Sequence, residues 1–520
     1  MFTRSEKINE EYCAQVVKIG ELTPIENSDK LLKTIVNGYQ IVVGKDDVKE
    51  GQIMIYAKLE TAVNKDFLSV NNQFEIGERQ LNKNYEEVQK LIDEGKNDEA
   101  KTMVGYFNKH GRVRIVKLRG CPSEGCLFTI DSVAKWKPQV LNYDFNKCFE
   151  PDEDGIVKPF NFDTIDGDLF CKVYVPYIPT PSQRGDRNSK RNRKLARFNR
   201  MIEGQFSFHY TTSKLNENIW KFKSDTVVDI SVKLHGTSIV IGNLLVKKPK
   251  STTMPRKLDN KRIKRKLRMA KRMEERFYWQ RMYKRAKCVK LQERLDSQYT
   301  VGYGNITSSR TVIKNQYINT GEQNHFYGKD VWSDYGKLMY PYLLEGMTLY
   351  GEICGYVDGT TSMIQKGYDY GCSAGESFLM PYRITYTDPD GKHTEWEVSE
   401  VYGWTVKLLA DHPELKDKVH PINILYHGTL GELYPDLDTA EHWNENVLLA
   451  MADDKEHFGM ELNEPLCKNK VPREGIVLRI TEDPHSEAFK LKTFAFLLKE
   501  AKMVDSGDVD IEMENNMVNA

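Results

Sequence analysis

The chain has 520 residues, 40% apolar and 11% aromatic, long enough for two or three domains and too rich in core formers for wholesale disorder. Its 75 basic and 75 acidic residues cancel in sum but not locally: residues 247–298 hold 20 Lys/Arg against 5 Asp/Glu, and residues 183–200 hold eight against one. No apolar run reaches the roughly 18 residues of a membrane span, and the first 20 residues lack the layout of a secretion signal, so a soluble intracellular protein is expected. Of nine cysteines only Cys121 and Cys126 are close, and C-x4-C without a second pair or nearby His argues for reduced thiols rather than zinc.

In chain order, residues 11–60 read as short strands between turn signals. Val16, Val17 and Ile19 lead into a Pro-Ile-Glu-Asn-Ser-Asp turn, and Leu32, Ile35 and Val36 meet Asn37-Gly38, a hairpin signal, before Ile41, Val42 and Val43. Gly51 opens the strand of Ile53 to Tyr56. Strands so spaced predict a small β-barrel over 1–135, with a polar helical hairpin around Gly95 inserted near 79–107. Charged and apolar residues alternate over 112–120, which predicts a further strand.

Residues 136–182 contain Trp136, six prolines and many acidic residues, and predict a linker; with the basic stretch Arg184 to Arg200 it makes up 136–204. A second domain is expected over 205–502, interrupted by the basic 247–298 segment. The core of that segment, 261–290, has no Gly or Pro and predicts a helix. The tail over 503–520, with Asp505, Asp508, Asp510, Glu512 and Glu514, is expected to be disordered.

The most informative segment runs from Val227 to Ser238. Val228, Ile230 and Val232 share one strand face, so Lys233 emerges on the opposite one, and Gly236 follows where backbone can approach a ligand. An amine held there is readily desolvated, which lowers its pKa and makes it a nucleophile. Four more segments follow in order. Leu349-Tyr-Gly-Glu352 puts a carboxylate beside a glycine, and Phe378 to Ile384 is a strand with Phe378 and Tyr382 on one face. Arg473-Glu474-Gly-Ile-Val477 is another strand, and Phe489-Lys490-Leu491-Lys492 places two lysines on one face.

This ordered set resembles the covalent nucleotidyltransferase superfamily of polynucleotide ligases and mRNA capping enzymes. Only 28 residues follow Lys492, too few for the barrel that follows the last motif in DNA ligases and capping enzymes; here the β-rich module comes first. The Glu-Asn-Ser-Asp-Lys turn (26–30) and the Val-Arg-Ile-Val-Lys-Leu-Arg-Gly segment (113–120) resemble the N-terminal OB-type domain of Deinococcus-type RNA ligases. Lys-x-His-Gly-Thr is similar to the motif of T4 RNA ligase 2.

The resemblance implies an α+β protein: an N-terminal OB-like β-barrel, then an ATP-grasp-like nucleotidyltransferase domain of antiparallel sheets with flanking helices. It implies an ATP-dependent RNA ligase joining a 3′-hydroxyl to a 5′-phosphate, with ATP, Mg²⁺ or Mn²⁺, and nicked duplex RNA or an RNA/DNA hybrid as partners. A monomer with no membrane partner and a role in RNA repair are expected. Lys233 is the expected nucleophile that carries AMP, and Lys490 and Lys492 depress its pKa and grip the α-phosphate. Glu352 and Glu474 are the expected ribose and metal ligands, in an order the sequence leaves open. Phe378 or Tyr382 would stack on adenine, and Arg310 would bind phosphate or nucleotide. His235 and Ser238 depart from the family pattern, and with Gly236 they flank the nucleotide.

In the basic segment Phe277, Tyr278, Trp279 and Tyr283 interleave with Arg and Lys, which suits phosphate backbones and unpaired bases. Its composition also fits a nuclear-import tract or a solvated helix. Two other readings of the whole chain stay open: a DNA ligase or guanylyltransferase, and a non-catalytic RNA-binding protein.

Overall fold

The computed structural model describes the chain except residues 7, 27, 154–156, 176–200, 250–264, 266–298, 315–326, 438–442, 482–486 and 507–520. The basic stretch 184–200, nearly all of the 247–298 segment with its four aromatic residues, and the acidic tail beyond 506 lie outside the described residues. The chain divides into two units. One comprises 1–180, 211–234 and 423–520, and the other comprises 181–210 and 235–422.

The first unit begins with the β-rich module. A four-stranded antiparallel sheet runs in the order Cys126–Thr129, Ile53–Ala57, Ala14–Lys18, Phe160–Phe162. Its alternating apolar residues close over a core that includes Val16, Ile55, Phe67, Phe128, Phe162 and Phe170. Leu31–Val36 pairs with Tyr39–Gly44 through Asn37 and Gly38, both at positive φ (47° and 77°), as the Asn-Gly signal requires. The helical hairpin is present as Tyr85–Asp93 and Asn97–Thr102, joined across Gly95 and each burying one apolar residue, Val88 and Ala100.

Four expectations need correction. The tail expected to be disordered from 503 begins in the helix Phe494–Asp505, where Asp505 pairs with Arg112. The stretch over 136–182 is not a bare linker. Phe160–Phe162 completes the four-stranded sheet, Thr164–Ile165 pairs with Phe2–Thr3, and Cys171–Val173 pairs with Thr61–Val63. Phe162 and Phe170 are core residues there, and their burial outweighs the prolines around them. Residues 112–120 form only a short strand, Val116–Leu118, which turns back at Arg119 and Gly120. Arg112 is instead buried in ion pairs with Glu60 (2.7 Å) and Asp505 (2.8 Å). Finally, 205–502 is not one body: 211–234 and 423–502 group with the β-rich module.

The reason is a second sheet in the same unit, ordered Ser213–Lys214, Phe489–Lys492, Gly475–Ile480, Val227–Lys233, Ile424–Thr429. A buried polar cluster joins it to the module. The Glu217 carboxylate accepts hydrogen bonds from Lys58 Nζ (2.8 Å), Tyr39 Oη (2.8 Å) and Gln15 Nε2 (3.1 Å). Lys58, 0% exposed, also donates to Asn161 Oδ1 and to the Glu10 carbonyl. A buried charge pair of this kind is costly to break on one side only. Lys58→Ala is expected to lower the unfolding free energy by about 3–5 kcal/mol in denaturant titration. A Lys58→Met/Glu217→Leu double variant should lose less.

The second unit is built on a five-stranded antiparallel sheet, Tyr299–Ser309, Thr237–Pro249, Met347–Gly355, Ser377–Thr387, His393–Glu395. Pairing of the first two strands continues to Pro249 opposite Tyr299, so residues 250–298 connect two adjacent strand ends. Among the described residues no helix is long and apolar enough to cross a membrane.

Candidate active site

Lys233 ends the strand Val227–Lys233, in which Val228, Ile230 and Val232 are buried as predicted, the first two in a core shared with Leu478, Ile476 and Phe489. Its neighbour Gly475–Ile480 is antiparallel and puts Gly475 opposite Lys233, and Phe489–Lys492 lies beyond with Lys492 opposite Gly475. Phe489 and Leu491 face the core, so Lys490 and Lys492 share the other face.

Glu474 sits at the centre of this register. Its side chain is 1% exposed, with Oε1 2.8 Å from Lys233 Nζ and 3.5 Å from Lys492 Nζ. Gly475 follows at φ 146°, and a Cβ there would lie 2.0 Å from the Leu491 carbonyl, so only glycine lets the lysine strand close on Glu474. Lys492 also meets Glu500 at 3.1 Å, from the helix Phe494–Asp505. Burial pushes the Lys490 ammonium down to about 8; Lys492, Lys214 and Lys233 add repulsion, while Glu11 pulls it up.

In the second unit the residues after Lys233 make a tight turn. His235 N donates to Tyr370 Oη (2.7 Å), Gly236 N donates to Glu352 Oε1 (3.1 Å), and Gln365 Nε2 donates to the Gly236 carbonyl (2.8 Å). A Cβ on Gly236 would lie 2.3 Å from the Ile353 carbonyl, which is why the close approach needs glycine. Glu352 lies opposite Ser238, whose hydroxyl donates to Oε2 at 3.4 Å. The His235 ring is buried edge-on against Tyr368, at 4.9 Å.

The two aromatic candidates differ. Phe378 is buried with His420 stacked on one face at 4.1 Å. Tyr382 is half-buried. Pro381 pairs with Gly351 and Arg383 with Tyr350, which leaves Tyr382 as the extra residue of a bulge beside a proline. Arg310 is half-buried and directly follows the strand Tyr299–Ser309.

The sequence missed three residues of the lysine cluster: Lys214, Glu11 and Glu500. Lys214 pairs with Lys490 in parallel register, and Lys490 is 3.7 Å from the Glu11 carboxylate. No local pattern links residues so far apart in the chain. Among the described residues no group of three His, Cys, Asp or Glu side chains is placed to hold a metal ion.

The first unit thus gathers four lysines around the carboxylates of Glu11, Glu474 and Glu500, a set suited to binding and reacting with phosphates. Residues 13–91 match a family model described as an OB-fold domain. The N-terminal module is an OB fold, and the chain as a whole is α+β with antiparallel sheets and helices. No curated protein matches the chain. The chain is similar to Naegleria gruberi RNA ligase structures. One lysine mutant with ATP and Mn is 15% identical, with 94% of this chain and 98% of that chain covered and a TM-score of 0.48. The structure of that ligase with PPi is 14% identical, with 95% and 100% covered and a TM-score of 0.42.

Proposed function

We propose that this chain is an ATP-dependent RNA ligase of the Deinococcus type, sealing nicks in duplexes through a lysyl-AMP and an adenylylated 5′-end. The observation that supports the reading is Lys233 beside a buried carboxylate, with Lys490 and Lys492 on the neighbouring strand. Three displacements at phosphorus follow from it. First, the neutral Lys233 amine attacks the α-phosphorus of ATP; a P–N bond forms, the bond to the bridging oxygen breaks and pyrophosphate leaves. Next, an RNA 5′-phosphate oxygen attacks that phosphorus, the P–N bond breaks and the amine is returned. Last, a 3′-hydroxyl attacks the activated 5′-phosphate and AMP leaves.

Negative charge grows on the phosphoryl oxygens at each step, and Lys490 and Lys492 are already in place to meet it without reorganisation. Glu474 Oε1, 2.8 Å away, holds Lys233 Nζ in position. A buried carboxylate beside the nucleophile would suit a divalent cation that arrives with the triphosphate. Mg²⁺ or Mn²⁺ bound with the triphosphate supplies Lewis-acid neutralisation of those oxygens. Glu474 is the carboxylate we assign to that hydrated ion, and Glu352 to the ribose. Tyr382 is the better candidate for adenine because one face of Phe378 is taken by His420. Arg310 is assigned to phosphate.

The test is a nicked RNA duplex with a 5′-labelled strand at the nick. ATP with Mg²⁺ should give first an adenylylated strand and then a joined product. Preference for GTP would move the protein to the capping branch, sealing only with a DNA 3′-hydroxyl would make it a DNA ligase, and no transfer would leave an RNA-binding protein. Because 250–298 joins paired strand ends, replacing it with an Asn-Gly turn is expected to leave lysyl-AMP formation within about twofold. Nick affinity at low salt should fall by at least about tenfold. Unchanged affinity would remove the segment from RNA binding.

A further inference from the structure

The contact of Glu11 with Lys490 has no part in the three displacements above. Glu11 lies in the N-terminal turn Glu10–Tyr12, whose preceding residue Asn9 accepts from Glu11 N through its side chain (3.1 Å). The turn is anchored on both sides. Buried Lys58 donates to the Glu10 carbonyl at 2.5 Å, and Cys13 Sγ lies 3.3 Å from the same oxygen. From that anchorage the Glu11 carboxylate reaches the edge of the lysine sheet. Oε1 accepts from Lys214 N (3.1 Å), and Oε2 is 3.7 Å from Lys490 Nζ. The Glu11 carbonyl accepts from Lys214 Nζ (2.9 Å), which lies 4.8 Å over the Tyr12 ring.

We propose that Glu11 is a positioning residue through which the N-terminal module holds the Lys490 ammonium in place for its phosphate. The inference rests on the reading of Lys490 as a phosphate grip. Among the described residues, the charged groups that act on Lys490 include the anion Glu11 and the cations Lys492, Lys214 and Lys233. Glu474 and Glu500 are engaged with Lys233 and Lys492. Glu11 is therefore an anion that favours the protonated form of the desolvated Lys490. Lys490 carries its charge below about 8 and loses it as pH rises, so removing Glu11 moves that loss to lower pH.

The experiment is the pH–rate profile of lysyl-AMP formation, measured with α-labelled ATP on the full chain. Glu11→Gln keeps an acceptor for the Lys214 amide but not the charge. It should move the alkaline limb down by about 1 unit, with about a tenfold slower rate at the old limb and little change at pH 6.5. Glu11→Asp should restore most of the limb. Glu10→Gln, whose carboxylate pairs with Arg4 at 3.0 Å, controls for the turn itself and should follow wild type. A Glu11→Gln limb that coincides with wild type overturns the proposal, as does an equal shift in Glu10→Gln. Wild type that takes no label overturns the catalytic reading and this proposal with it; label with an unmoved limb overturns Glu11 alone.

Discussion

Lys233→Ala is expected to take no label from α-labelled ATP, a loss of at least about 10³-fold in lysyl-AMP formation. Lys233→Arg should be equally silent, because a guanidinium keeps the charge at Glu474 but has no free amine pair to attack phosphorus. The two variants separate chemistry from packing. Alanine takes the 2.8 Å lysine partner from the buried Glu474, whereas arginine preserves an ion pair, so the arginine variant should melt closer to wild type. Denaturing-gel autoradiography with parallel melting curves reads both. Strong labelling of Lys233→Ala would place the nucleophile elsewhere.

Glu474→Ala should be the most damaging change that spares the nucleophile. The carboxylate is 1% exposed and lies between two ammonium groups, and removing it leaves like charges facing each other with little water to screen them. A loss of about 3 kcal/mol in unfolding free energy is expected from denaturant titration, with Glu474→Gln losing less. Lysyl-AMP formation should fall by about 10²-fold or more in both, because each removes the charge that orients Lys233 and serves the hydrated ion. Full activity in a folded Glu474→Gln would show that the carboxylate only supports the fold.

Much of the lysine cluster was legible because strand alternation is local. Val228, Ile230 and Val232 predict which way Lys233 points, and Phe489 and Leu491 do the same for Lys490 and Lys492. Asn37-Gly38 likewise carries its own turn. What escaped was pairing between distant strands. Nothing in Thr-Thr-Ser-Lys signals that Lys214 lies parallel to Lys490, or that Glu11 reaches the same edge. Composition misled over 136–182, where prolines and acidic residues outnumber the few apolar residues that form strands of two or three residues. Tyr382 falls at a register shift beside Pro381, which is visible only once its partner strand is known.

Peptide mapping by mass spectrometry tests the central claim most directly. The full chain is stripped of bound nucleotide, incubated with ATP and Mg²⁺, quenched without acid and digested. The account predicts AMP on the peptide containing Lys233, in a P–N linkage that acid cleaves and alkali spares. AMP on Lys214, Lys490 or Lys492 in its place, or no adduct on a folded protein, would contradict it.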